Sequence, residues 1–148
     1  MRMLDITKYY SLIIPIFVGG VLLTVKFIIF SAKHGIKWEY FFSHGHMPSF
    51  HTGFVISILT SIGYYHGTTS GAFALAAIFS IIIIDDALRL RVYLGDQGRY
   101  LNRLVEQLSI DKNKFPRLKE RIGHRVSEVI IGGAIGFGLT LILAKFLG

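Results

Sequence analysis

The chain has 148 residues, 52% of them hydrophobic, with a formal net charge of +7 and no cysteine. A mean hydropathy of +0.54 exceeds what a soluble core of this size needs, so one membrane-embedded unit over residues 1–148 is the first expectation. The missing cysteine excludes disulfide frameworks, thiolate nucleophiles and thiolate-bound metals, and so many cations in so apolar a chain suit phospholipid headgroups or a phosphorylated substrate rather than nucleic acid.

The opening stretch, MRMLDITKYY, carries an acid, and the apolar run behind it lacks a small-residue cleavage site, so that run is expected to stay in the membrane. Four segments, roughly 10–32, 49–66, 69–88 and 126–146, are apolar enough and close to the ~20 residues that cross ~30 Å of hydrocarbon as a helix. Between the second and third, His66-Gly67-Thr68-Thr69-Ser70 reads as a tight polar turn, which makes those two segments antiparallel neighbours. After the third, Leu101, Leu104, Val105 and Leu108 fall at helical spacing among polar residues. That pattern predicts an amphipathic helix on the membrane surface or over the bundle mouth, ended near Asp111 to Asn113 and restarted after Pro116. The expected fold is therefore an all-α integral membrane bundle of four transmembrane helices plus one amphipathic surface helix. Gly132 and Gly136 have the small-xxx-small spacing that permits close helix packing, within the chain or with a partner.

Ten of the sixteen Lys and Arg residues lie between Arg89 and Arg125, and the connection between the first two spans adds Lys33 and Lys37. Four spans place both connections on one side, and the positive-inside bias makes that side cytoplasmic, with Arg2, Lys8 and Lys145 as minority charges on the other.

This topology sends polar groups from four segments to one end of the bundle. Lys26 lies near the end of the first span, Pro48-Ser49-Phe50-His51 opens the second, Asp85-Asp86 closes the third, and His124 with Glu128 opens the fourth. Ionisable groups at membrane depth are costly and tend to face a bundle interior, so their convergence marks a site. His124 and Glu128, four apart, share a helical face, and the carboxylate can hold one imidazole nitrogen as N–H while the other acts as nucleophile or base. Ser49 and His51 stand at a helix N-terminus, where backbone N–H groups favour phosphate. Two histidines so placed fit phosphoryl transfer through a phosphohistidine, the second protonating the leaving oxygen.

Three ordered motifs, GHMPSFHTG, DDALRLRVYLGDQGRYLN and GHRVSEVIIGGAIG, carry a family resemblance. They are similar to GGMPSSHS, D-A-x-x-x-R-x3-G-x-Q-x4-L-N and GH-x-x-x-E-V-x-x-G of the divergent branch of the type 2 phosphatidic acid phosphatases, relatives of the vanadium haloperoxidases. Order and spacing agree from Lys26 to the C-terminus. The resemblance implies His124 as nucleophile, Glu128 as its orienting acid where the wider superfamily has Asp, and His51 as general acid. It implies phosphate binding by Lys26, Ser49 and Arg91, and supporting positions at Asp86, Gln97 and Asn102. Three features depart from the pattern: no Lys-x6-Arg-Pro follows Lys26, Leu118 stands where an Arg is expected, and Phe50 replaces a small residue. Arg91, Arg121 or Arg125 is then expected to supply the missing cation.

The expected function is hydrolysis of a lipid-linked phosphomonoester or diphosphate, at the cytoplasmic face of a bacterial cytoplasmic membrane. No metal or other cofactor enters this scheme, because cations and helix N-terminal dipoles neutralise the phosphate. Two rivals use the same residues differently: a non-enzymatic protein binding anionic lipid, or a partner or second copy through Gly132/Gly136, and a metal-dependent phosphotransferase centred on Asp85/Asp86. A zinc site at His44, His46 and His51 is a weaker option, since histidines two apart do not share a helical face.

Overall fold

Within hydrocarbon each backbone N–H and C=O has to be bonded inside its own segment, which drives long charge-free apolar runs into helices. The computed structural model describes residues 9–36, 47–108, 111 and 114–147. Along them run α1 (Tyr10–His34), α2 (Phe50–His66), α3 (Gly71–Asp85), a π-helical turn (Asp86–Leu90), α4 (Arg91–Gln107) and α5 (Val126–Leu147). No strand occurs among the described residues. Arg2, Lys8, Lys37, His44, His46, Lys112 and Asn113 lie outside them.

Three stretches, Tyr10–Ala32, Gly71–Gln107 and Val126–Leu147, are long and apolar enough to cross a membrane. The remaining expected span, α2, has 17 residues and thus a length of about 25 Å. It is the central helix nonetheless, packed against α1, α3 and α5. Its buried positions are small: Thr52, Gly53, Val55, Ser57 and Ser61. Small residues let helix backbones approach where lipid removes the usual hydrophobic drive for association. A Cβ on Gly132 of α5 would run into the Ser49 carbonyl oxygen, and one on Gly136 into that of Gly53. Hydroxyls then tie the helices at depth. Thr140 Oγ1 donates to the Gly136 carbonyl at 2.6 Å, so the 2.6 Å contact between Ser57 and Thr140 has Ser57 as donor. Ser80 of α3 donates to the carbonyls of Ala76 (2.8 Å) and Val55 (3.3 Å).

On the other side of the bundle, Ile14, Val18 and Leu22 form one stripe of α1, each no more than 1% exposed, and pack with Ala144 of α5. Large apolar side chains such as Leu12, Phe17, Leu75, Phe79, Ile130 and Phe137 are exposed on the outer surface, as lipid contact requires.

Two expectations are corrected here. The amphipathic helix is not a separate surface element: α3, the π turn and α4 form one 37-residue rod, Gly71–Gln107. The junction sequence DDALRLR contains neither Gly nor Pro, so polarity changes along the rod without a signal to break it. Nor does a helix restart after Pro116; residues 116–125 are irregular and α5 begins at Val126. A third finding concerns Gly132/Gly136, whose faces are filled by α2 of the same chain and are closed to a partner.

Replacing Gly136 by Ala should lower the thermal unfolding midpoint of the detergent-solubilised protein, at an overpacking cost of about 1–3 kcal/mol, because the blocking atom is backbone. Gly138→Ala, whose Cβ meets nothing within 4 Å, should not lower the midpoint and should raise it slightly, because Ala is the better helix former.

Candidate functional site

The start of α5 is organised by one carboxylate. Arg125 is the last residue before the helix, and its carbonyl accepts from the N–H groups of Glu128 (3.0 Å) and Val129 (3.2 Å). Glu128, in the third helical position, reaches back with Oε2 to accept the Arg125 N–H at 3.2 Å, the second half of a capping box. The same Oε2 accepts from His124 Nδ1 at 2.9 Å, and Oε1 lies 3.3 Å from an Arg121 guanidinium nitrogen. His124 and Glu128 are only 7% and 5% exposed. A carboxylate withdrawn from water needs such donors, and the positive end of α5 adds to them. In a neutral imidazole, an Nδ1–H donated to the carboxylate leaves the lone pair on Nε2. His124 precedes α5 rather than lying on it, yet the pair expected from their spacing forms.

Three other elements close on this pair. The Ser49 N–H donates to the Glu128 main-chain oxygen at 3.1 Å, joining the beginning of α2 to that of α5. Ser49 is fully buried, and its hydroxyl pairs with Thr52 Oγ1 at 3.0 Å instead of capping α2. Lys26 of α1, 6% exposed, lies within Coulombic reach of Glu128. The third neighbour comes from the rod. In the π turn the Arg91 N–H reaches back five residues to the Asp86 carbonyl, while the Ala87 carbonyl accepts the His124 N–H at 3.1 Å. Lys26, Ser49, His124 and Glu128 are thus brought together at one end of the bundle.

The remaining expected residues are distributed differently. His51 is half-buried in the first turn of α2, its ring edge-on to Phe50 at 5.4 Å between centroids. The Phe50 ring stacks on Phe54 at 5.6 Å and packs against the α1 core, which accommodates the bulk that replaces a small residue. Arg91 bonds Asp86 through Nε at 2.6 Å, and Asp85 pairs with Arg89 at 2.5 Å, so each of the two neighbouring carboxylates holds its own arginine. Arg125 contributes its backbone N–H to Glu128, and its side chain is exposed. Of the three arginines that could supply the missing cation, Arg121 is the one whose guanidinium meets Glu128.

Gln97 and Asn102 do not join the cluster. They stand 10 and 15 residues beyond Ala87 on a helical course, about 15 and 22 Å along the rod. Asn102 instead anchors the loop that leads to His124. Its side chain accepts from the Leu118 N–H at 3.0 Å and donates to the Leu118 carbonyl at 3.0 Å and to Glu120 at 2.9 Å. A Cβ on Gly95 would sit 2.5 Å from the Glu120 carbonyl oxygen and one on Gly98 2.7 Å from that of Lys119, so the glycines of GDQG seat the loop backbone on α4. Thr52 and the Ala87 carbonyl were not flagged by the sequence. Thr52 had only its spacing from Ser49 as a signal, and the π turn had none.

Residues 8–139 match the family model described as the divergent PAP2 family. The chain is 34% identical, over 148 aligned positions covering 92% of each chain, to "Uncharacterized membrane protein YuiD" of Bacillus subtilis (strain 168). No solved structure matches.

The loop anchor has a defined pH response. A hydrogen bond from Arg117 at 2.8 Å, reinforced by Asn102, holds the Glu120 carboxyl below its ordinary value of 4.5. A carboxyl whose folded value is depressed stabilises the fold fully above its unfolded value and loses that contribution as the pH falls through the folded one. Protection of the Leu118 amide, its exchange measured against the intrinsic rate at the same pH, should therefore hold down to pH 4.5 and fall only below it, whereas Glu120→Gln should remove that acid transition.

Proposed function

The chain belongs to the divergent PAP2 family, and from that premise we propose that it is a membrane phosphatase acting on a lipid-linked phosphomonoester or diphosphate through a phosphohistidine. The observation that carries this reading is the buried His124–Glu128 pair, 2.9 Å apart, with Lys26, Arg121 and Ser49 around it. Glu128 fixes Nδ1 of His124 as the protonated nitrogen, so Nε2 is the nucleophile. Its lone pair attacks phosphorus in line, forming the N–P bond as the bond to the lipid oxygen breaks. His51 gives its proton to that leaving oxygen, then takes one from the water that cleaves the N–P bond, releasing inorganic phosphate and regenerating both histidines. Lys26, Ser49, Arg91, Arg121 and Arg125 are the groups assigned to hold the phosphoryl oxygens and spread the developing charge. Glu128 would also keep an Arg or Lys nearby when no phosphate is bound, since its own charge attracts them.

The cationic connections around the site, Arg89 to Arg125 above all, support a cytoplasmic orientation in a bacterial cytoplasmic membrane by the positive-inside bias. Asp86 acts in this reading as the partner that orients Arg91. Gln97 and Asn102 act through the loop and rod rather than on substrate.

Phosphate release should be measured from a panel of lipid phosphates and diphosphates, in detergent with a chelator present. His124→Ala should abolish turnover, and His51→Ala should lower it roughly 100- to 10,000-fold, the usual range for a lost acid or base. Glu128→Gln should lower kcat with little change in KM. No release from any lipid by the folded native protein would refute the reading and favour a non-enzymatic binder of anionic lipid. Release that requires added magnesium would favour the metal-dependent alternative.

A further inference from the structure

At the start of α2 two enclosed hydroxyls meet. Ser49 is 0% and Thr52 2% exposed, and their oxygens lie 3.0 Å apart. Two hydroxyls carry two hydrogens, and one contact uses only one of them. Among the described residues neither oxygen has a second hydrogen-bond partner. One hydrogen is therefore left without an acceptor in a buried position, which marks a missing partner. The other interhelical pair shows the contrast: Thr140 donates to the Gly136 carbonyl and Ser57 to Thr140, so both hydrogens are used.

Which hydrogen is left over follows from the position of Thr52 in its helix. The other helical threonines, Thr24, Thr60 and Thr140, each donate to the carbonyl four residues back. Thr52 is the third residue of α2, so the carbonyl four residues back, that of Pro48, precedes the helix. The Ser49 carbonyl, three back, already accepts the Gly53 N–H at 3.1 Å. Ser49 Oγ is the acceptor that remains for Thr52. The Thr52 methyl carbon lies 3.7 Å from where a Cβ on Gly133 of α5 would stand, and a branched side chain with its methyl against a neighbouring helix has little χ1 freedom. The Thr52 hydrogen is thus committed to Ser49, and the Ser49 hydrogen is the one without an acceptor.

The chemistry of the absent acceptor is set by its surroundings. The Ser49 N–H is bonded to the Glu128 main chain, Lys26 lies within Coulombic reach of Glu128, and the Glu128 carboxylate already accepts from His124, Arg121 and Arg125. An oxygen entering beside a lysine and the positive end of α2 is favoured when it is anionic. Phosphoryl oxygens only accept, so a hydroxyl facing one must donate, and Ser49 Oγ can then only accept from Thr52. Accepting that bond polarises the Ser49 O–H and strengthens its own donation.

We infer that Thr52 is a positioning residue of the anion site: it donates to Ser49 Oγ and so turns the Ser49 hydrogen toward a phosphoryl oxygen held beside Lys26. The inference rests on the assignment of phosphate to this end of the bundle and not on hydrolysis, because it concerns how the anion is held.

The test is therefore a binding measurement, with inorganic phosphate titrated calorimetrically against the full-length protein in detergent. Thr52→Val keeps the branched shape without the hydroxyl and should weaken binding roughly 3- to 10-fold, the usual worth of one neutral hydrogen bond. Thr52→Ser should restore it. In a Ser49→Ala background Thr52→Val should cost nothing further, because no hydroxyl is left to orient. Thermal midpoints are read on every variant, with Thr52→Ala as a second hydroxyl-free form and the double variant as a folded reference in which neither hydroxyl remains unpaired. Unchanged affinity in Thr52→Val, an equal loss with and without Ser49, no restoration by Thr52→Ser, or no phosphate binding by the folded native protein would each overturn the inference. Phosphate bound with this pattern by a protein that releases none from any lipid would uphold the positioning role and refute hydrolysis alone.

Discussion

The Glu128 carboxylate is the constraint on which the rest of this end of the protein depends. A buried carboxylate is tolerable only where donors replace the water it has lost, and here they come from one short stretch: the Arg125 N–H, the His124 ring and the Arg121 guanidinium. Satisfying it fixes where α5 begins, which ring nitrogen of His124 faces the carboxylate and where residues 121–125 run. The Glu128 main chain meanwhile accepts from Ser49, so the beginning of α2 is registered against the same residue. Removing the carboxylate would leave a helix start, an imidazole and a loop each short of a partner. Breaking one arm of such a network costs more than the arm's own hydrogen bond, because the remaining polar groups stay buried.

This junction requires close helix approach, and the small residues of α2 and α5 provide it. Ser49 reaches the Glu128 carbonyl only because Gly132, one turn further along, lets the Ser49 backbone lie against α5. The same device repeats a turn later at Gly136 and Gly53, then passes to hydroxyls at Ser57 and Thr140. One seam thus begins as backbone contact beside the site and continues as side-chain hydrogen bonds at membrane depth. A larger residue at either glycine would disturb both packing and the site, since the obstructing atoms belong to the strand of chain that positions Ser49.

Much of this was legible in the sequence for a physical reason: hydrocarbon imposes length and charge rules that a linear reading can apply directly. The apolar segments, the turn at Gly67 and the convergence of Lys26, Ser49, His124 and Glu128 all follow from those rules and from topology. The His124–Glu128 spacing was correctly read as a pair, although His124 lies just outside the helix, because a capping-box Glu turns back toward the residues before it. The continuity of α3 with α4 was not legible, since a change from apolar to polar composition resembles a boundary but carries no breaker. The positions of Asn102 and the GDQG glycines were equally hidden. Their partners are backbone atoms of an irregular loop, and backbone atoms leave no signature in composition or periodicity.

The rod then connects the two ends of this account. Asn102, Gly95 and Gly98 carry the loop at Leu118, Lys119 and Glu120, and that loop leads within a few residues to Arg121 and His124. At its inner end the rod accepts the His124 N–H on the Ala87 carbonyl, in the π turn where helical bonding reaches back five residues. The loop is therefore held at both ends by one helix, and the orientation of His124 depends on the straightness of that helix as well as on Glu128. A lone helix projecting from a membrane would be a compliant support.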